Sequence, residues 1–212
     1  MNKLPELNLK KLHFLILILL SNILYAQNSA NNSVSLSLFI GGLSIRSESF
    51  KNIYKSNTGL IFGGSLGIPI SNKLTLDGSI QYYYKESSYL SAIDGGTRGN
   101  AILKQVVIFS GLQYIFFSKG IFLMSGLGGL SISLVDEERK DENGRFLYQT
   151  EGTGNFGIYG GLNFELSIGE SPVSVYGNLK YLHSWNPVLE FDETYRALFY
   201  VGGIKLYFMN RW

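Results

Sequence analysis

The chain has 212 residues, with 18 Lys+Arg against 16 Asp+Glu and no Cys. That length fits one domain. A formal charge of +2 argues against a nucleic-acid partner, and the lack of Cys excludes disulfides, thiolate metal sites and a thiol nucleophile.

Residues 1–11 carry Lys3, Lys10 and Lys11, and the run Leu12 to Leu20 is almost wholly apolar. A short region closing on Tyr25-Ala26 follows, and then the polar stretch 27–33. This pattern predicts a secretory signal peptide over 1–26. Its apolar core is short of the roughly 20 residues that span a bilayer comfortably. No Cys follows it, so a lipoprotein anchor is not expected. Cleavage removes Lys3, Lys10, Lys11 and Glu6, leaving 15 basic and 15 acidic residues.

From residue 34 the pattern is period two, rich in Val, Ile, Leu, Phe and Tyr and broken by Gly/Asn/Ser clusters. It predicts strands at 34–45, 58–70, 73–85, 102–117, 120–134, 154–168, 172–184 and 196–210, and no helix. Connections alternate. Segments 46–57, 86–101, 135–153 and 185–195 are long, whereas 71–72, 118–119 and 169–171 are tight turns. That alternation fits an up-and-down meander with one end outside the cell and the other in the periplasm.

Each strand has one apolar and one polar face. The first sets Val34, Leu36, Leu38 and Ile40 against Ser35 and Ser37; the third sets Leu74, Leu76, Ile80, Tyr82 and Tyr84 against Thr75, Asp77, Ser79, Gln81 and Lys85. Tyr82, Tyr84, Tyr181, Trp185 and Tyr200 fall near the long loops, and Tyr114, Phe116, Phe208 and Trp212 near the short turns. Two aromatic belts suit rings lying at headgroup level on both sides of a membrane. Periodicity does not say which face is inside. The belts and strand lengths favour a lipid-facing apolar side.

The meander spacing and the terminal run Ala197-Leu-Phe-Tyr-Val-Gly-Gly-Ile-Lys-Leu-Tyr-Phe-Met-Asn-Arg-Trp212 resemble small eight-stranded outer-membrane β-barrels of the OmpA-transmembrane and OmpX class. The resemblance covers roughly residues 34–212 and implies an all-β, eight-stranded antiparallel transmembrane barrel in a Gram-negative outer membrane. It also implies outer-membrane lipids and lipopolysaccharide as neighbours. The barrel-assembly machinery would read a C-terminal signal of Ile204, Leu206, Phe208 and Trp212, with Asn210 breaking its alternation. A monomer with no nucleic acid and no cofactor is expected, and peptidoglycan anchoring of the OmpA type is not expected.

An eight-stranded barrel is just wide enough to be filled by side chains. Alternation puts Asp77, Glu165, Lys180 and Lys205 inward, with Tyr83, Gln113, Tyr159 and Asn163. Two carboxylates and two ammonium groups balance, and charges in a narrow lumen must pair or keep water. A closing plug of ion pairs is expected; a narrow porin-like channel with exchanging partners is the alternative.

Gly-Gly pairs at 41–42, 63–64, 128–129, 160–161 and 202–203 suit curvature and close backbone approach, and no phosphate-loop motif is present. The run Tyr181-Leu-His-Ser-Trp-Asn186 is similar to that of PagL-type lipid A deacylases, whose motif is His-x-Ser-Asn with a Glu further along. Here His183 and Ser184 are adjacent, so they should project to opposite faces, with Glu190 or Glu193 as orienting carboxylate. No catalysis and no metal site are therefore expected. The mixed-charge stretch 136–145 reads as a solvated external loop, of the kind through which such a barrel meets partners. A soluble ligand-binding barrel, with the apolar face turned inward, is the last alternative.

Overall fold

Alternating residues broken by turn formers give eight antiparallel strands: β1 (Val34–Ile45), β2 (Thr58–Pro69), β3 (Leu74–Ser91), β4 (Thr97–Lys119), β5 (Phe122–Asp141), β6 (Phe146–Ser167), β7 (Val173–Ser184) and β8 (Tyr195–Phe208). The computed structural model describes residues 33–91, 97–169, 171–185 and 195–208. The expected signal peptide, Asn186, Glu190, Glu193 and Trp212 lie outside them. The strands pair in chain order into a closed barrel, with β1 meeting β8 from Val34↔Phe208 to Ile45↔Ala197.

The barrel is apolar outside and largely polar or aromatic inside. On β1, Leu38 is 70% exposed while Ser37 beside it is 1% exposed. The same inversion recurs where Ile80, Leu130, Phe156 and Ile204 face outward and Asp77, Ser131, Asn155 and Lys205 are buried. Ile204, Leu206 and Phe208 all lie on the outer face.

Three expectations are corrected. First, a seven-residue helix, α1 (Glu48–Tyr54), occupies the segment read as a loop. Seven residues are too few to display a helical period in a charged stretch. The local signal is Ser47, whose hydroxyl accepts from the Phe50 N–H at 3.0 Å and caps the first turn. Lys55 ends the helix with φ 59°.

Second, the segments 86–101 and 135–153 are mostly strand. β3, β4, β5 and β6 run 18, 23, 20 and 22 residues, whereas β1, β2 and β7 have 12 and β8 has 14. A tilted membrane strand needs about 9–11. The long strands stay paired to the end, Ser91↔Thr97 in one hairpin and Gly99↔Asp141 between the two. A four-stranded wall therefore rises above one side of the barrel mouth. Its β5–β6 turn carries Gly144 at φ 77°, a left-handed conformation that glycine adopts freely. The lower turn between β4 and β5 falls at Gly120-Ile121, not at Ser118-Lys119.

Third, the stretch 136–145 is not uniformly solvated, because the inward alternation of β5 continues through Val135, Glu137 and Arg139, all buried.

One member of every Gly-Gly pair faces the lumen. A Cβ at Gly41, Gly63, Gly129, Gly161 or Gly203 would fall on a neighbouring strand's carbonyl oxygen, inside any real contact distance. Phe39 packs between its cross-strand partners Gly63 and Gly203. Gly203→Ala should therefore cost about 1–3 kcal/mol through overpacking. Gly202→Ala, whose Cβ would meet nothing closer than 3.8 Å, should stay within about 0.5 kcal/mol. Urea titration of the two variants in detergent micelles reads the difference.

Candidate functional site

The barrel interior has a polar half, an aromatic half and a stopper. At the short-turn end, Lys205 Nζ donates to Glu165 Oε2 at 2.8 Å, and the Tyr207 hydroxyl donates to the other oxygen of the same carboxylate. These groups line a vestibule of ≈310 Å3, together with Ser35, Thr75 and Ser167. Deeper in, Lys180 Nζ donates to Ser79 Oγ at 2.9 Å and lies 3.9 Å from Asp77 Oδ2, an ion pair longer than a hydrogen bond. Gln113 Nε2 donates to Ser125 Oγ at 2.6 Å, and Asn163 Nδ2 to the same oxygen at 3.4 Å. The structure thus joins Glu165 with Lys205 and Asp77 with Lys180.

Above this network the fill is aromatic, which charge balance did not anticipate. Phe109 meets Tyr159 edge-on at 4.8 Å and Phe199 at 5.3 Å. The Lys180 ammonium sits 4.8 Å from the Phe109 ring centre, so the ring faces offset part of its desolvation. Leu43, Ile61, Tyr83, Leu103, Leu182 and Tyr195 complete this section, with the Tyr195 hydroxyl donating to Gln105 Oε1 at 3.0 Å. The cavity lined by Asp77, Gln113, Asn163, Lys180 and Lys205, within the polar half, is ≈10 Å3, about the space of one water molecule.

The stopper is α1. Phe50 and Tyr54, four residues apart, project from one helix face, stack at 4.6 Å and are fully buried. The Tyr54 hydroxyl donates to Glu137 Oε1 at 2.9 Å, and Arg139 Nε donates to that same oxygen at 3.0 Å. Burial first, and then the Glu137 charge, push the Tyr54 phenol above its ordinary value. Docking of α1 should thus hold from neutral pH up to the normal tyrosine range, about 10, and weaken as pH rises beyond it. Tyr54→Phe removes a bond to a buried carboxylate and should loosen the helix by about 1.5–3 kcal/mol. The expected readout is faster proteolytic nicking within 46–57 with an unchanged barrel; an unchanged nicking rate would show that the bond does not hold the helix. Equating charge with solvent exposure hides Glu137 and Arg139, and Tyr54 lies in a segment whose pattern reads as a loop. The unbroken alternation Ser131, Ser133, Val135, Glu137, Arg139 was the signal available.

His183 and Ser184 do not form a pair. His183 turns outward, edge-on to Trp185 at 6.0 Å. Ser184 is buried, with its Oγ against Asn155 Oδ1 and the Phe156 carbonyl.

No protein-family model matches the chain, and no curated protein matches its sequence. Solved structures do. The outer membrane protein OprG from Pseudomonas aeruginosa aligns with a TM-score of 0.56 at 11% identity, over 86% of this chain and 98% of that one. Neisserial surface protein A gives 0.51 at 12%, over 82% and 97%. Ail, the attachment invasion locus protein of Yersinia pestis, gives 0.50 at 11%, over 84% and 100%. At such identities the likeness is one of fold: the chain has the architecture of small eight-stranded outer-membrane barrels.

Proposed function

We propose that this chain is an integral outer-membrane barrel with a structural or surface-interaction role, and that it performs no catalysis. The observation that carries the reading is the inversion of faces in a closed barrel. Leu38, Ile80, Leu130 and Ile204 are exposed where only hydrocarbon would cover them without penalty. Exposed Tyr84, Tyr181, Trp185 and Tyr200 edge this band towards the wall, and Tyr114, Phe116 and Phe208 edge it towards the short turns. The interaction surface is the raised wall of β3–β6, which carries Glu138 and Lys140 in an ion pair of 3.2 Å and has Arg145 at its exposed tip. The aromatic fill and the α1 stopper favour a closed lumen over a narrow channel.

Two measurements on the same protein test this. Trypsin added to intact cells should cleave at Arg145, giving a fragment that remains in the envelope. Purified protein in planar bilayers should show no steady conductance. Cleavage only after the outer membrane is opened would reverse the orientation; stable single-channel steps would favour the channel.

A further inference from the structure

Two exposed arginines occupy neighbouring positions of the β1–β8 ladder at the wall end of the barrel. The Arg46 N–H donates to the Arg196 carbonyl at 2.9 Å, extending the β1–β8 ladder by one residue. On the other side of Arg196, β7 places His183 directly opposite. Each of the three follows or lies between inward residues: Arg46 follows buried Ile45, Arg196 lies between buried Tyr195 and Ala197, and His183 lies between buried Leu182 and Ser184. Their side chains therefore leave the same outer face at one height, on strands about 4.8 Å apart. Both arginines are exposed. Neither has an ion pair or side-chain hydrogen bond among the described residues.

Like charges directly opposite one another weaken a sheet. An anion between them reverses the sign of that interaction, and the planar guanidinium fork matches phosphate well. The surface on the membrane side of the row says what the anion is attached to. The next outward positions are Tyr181 and Leu198, followed by Leu179 and Tyr200. Trp185 stands beside His183. A charged head with apolar chains fits this surface; a free anion would leave the apolar part unused.

We propose that Arg46, Arg196 and His183 form a headgroup site for a phosphate-bearing lipid of the outer leaflet, with its acyl chains lying along Leu198, Leu179 and Tyr200. The site rests on the outer-membrane reading above. Glu190, Asp192 and Glu193 fall in sequence between β7 and β8, outside the described residues, and their neutralisation is the control for an intramolecular partner.

The test is native mass spectrometry of the full chain in mild detergent, with bis-phosphoryl lipid A, monophosphoryl lipid A and phosphatidylglycerol as probes. The wild type should retain bis-phosphoryl lipid A about tenfold more tightly than Arg46→Gln/Arg196→Gln does. It should prefer that probe to the other two, and millimolar inorganic phosphate should not displace it. Equal retention by the variant, preference for phosphatidylglycerol, or displacement by inorganic phosphate would each overturn the proposal. So would absence of retention by the wild type with binding appearing in E190Q/D192N/E193Q, which would give the arginines to the chain's own carboxylates. Heat-dependent mobility in SDS is checked on every sample. If it is absent in the wild type, the membrane reading fails; if it is intact while lipid retention ignores the arginines, only the lipid site fails.

Discussion

Leu38→Lys should destabilise the barrel in phospholipid vesicles by about 2–4 kcal/mol, the cost of a cationic side chain near the middle of a lipid-facing strand. Leu38 is 70% exposed and lies between Gly64 on β2 and Ile204 on β8, well inside the apolar band. In a soluble barrel the same change would touch nothing but water and fall within about 0.5 kcal/mol of neutral. Leu147→Lys supplies the internal comparison, because Leu147 is also exposed but belongs to the raised end of β6. There the expected cost is about 0–1 kcal/mol. Urea midpoints of the three proteins, taken in the same vesicles, give the ordering. Equal midpoints for both variants would mean that the band at Leu38 does not meet lipid.

Lys205→Met should cost about 3–5 kcal/mol, because it strands a buried carboxylate. Glu165 is 3% exposed and among the described residues would keep only Tyr207 as a partner. Glu165→Gln/Lys205→Met removes both charges together and should recover most of that loss, since replacing a whole buried pair is commonly close to neutral. The coupling energy of the double-mutant cycle therefore measures how dry this end of the lumen is. A coupling of about 1 kcal/mol or less would describe a hydrated pair, as on a surface, and would open the vestibule to a channel. The low exposure of Glu165 and Lys205, 3% and 7%, favours the larger value, whereas the ≈310 Å3 vestibule that both line works towards the smaller one.

Strand number, pairing order and the inward set Asp77, Glu165, Lys180 and Lys205 are legible in the alternation because a pleated strand exposes its two faces separately. The choice between the faces is not, since a soluble barrel has the same period. The aromatic belts and strand lengths favour the lipid-facing arrangement, and the closed structure, with Ser37 inside and Leu38 outside, agrees. Ending strands where charge begins hides the wall. Glu137 and Arg139 show why that rule fails: Tyr54, 83 residues away from Glu137, joins them in a buried cluster. A contact at such separation leaves no local mark. The helix escaped for the opposite reason. Its signals, a Ser47 cap and a Phe50/Tyr54 pair, are local but too few to stand out. The aromatic half of the lumen was hidden on strands apolar on both faces, such as Ala197-Leu-Phe-Tyr-Val201, where alternation carries no contrast.

The most direct measurement is carbonate extraction of membranes from cells expressing the full chain, followed by SDS electrophoresis of boiled and unboiled samples. The predicted result is a carbonate-resistant protein whose mobility changes on heating, as a barrel held together by its own ladder should behave. A protein released by carbonate and migrating identically with and without heating would contradict the inside-out barrel.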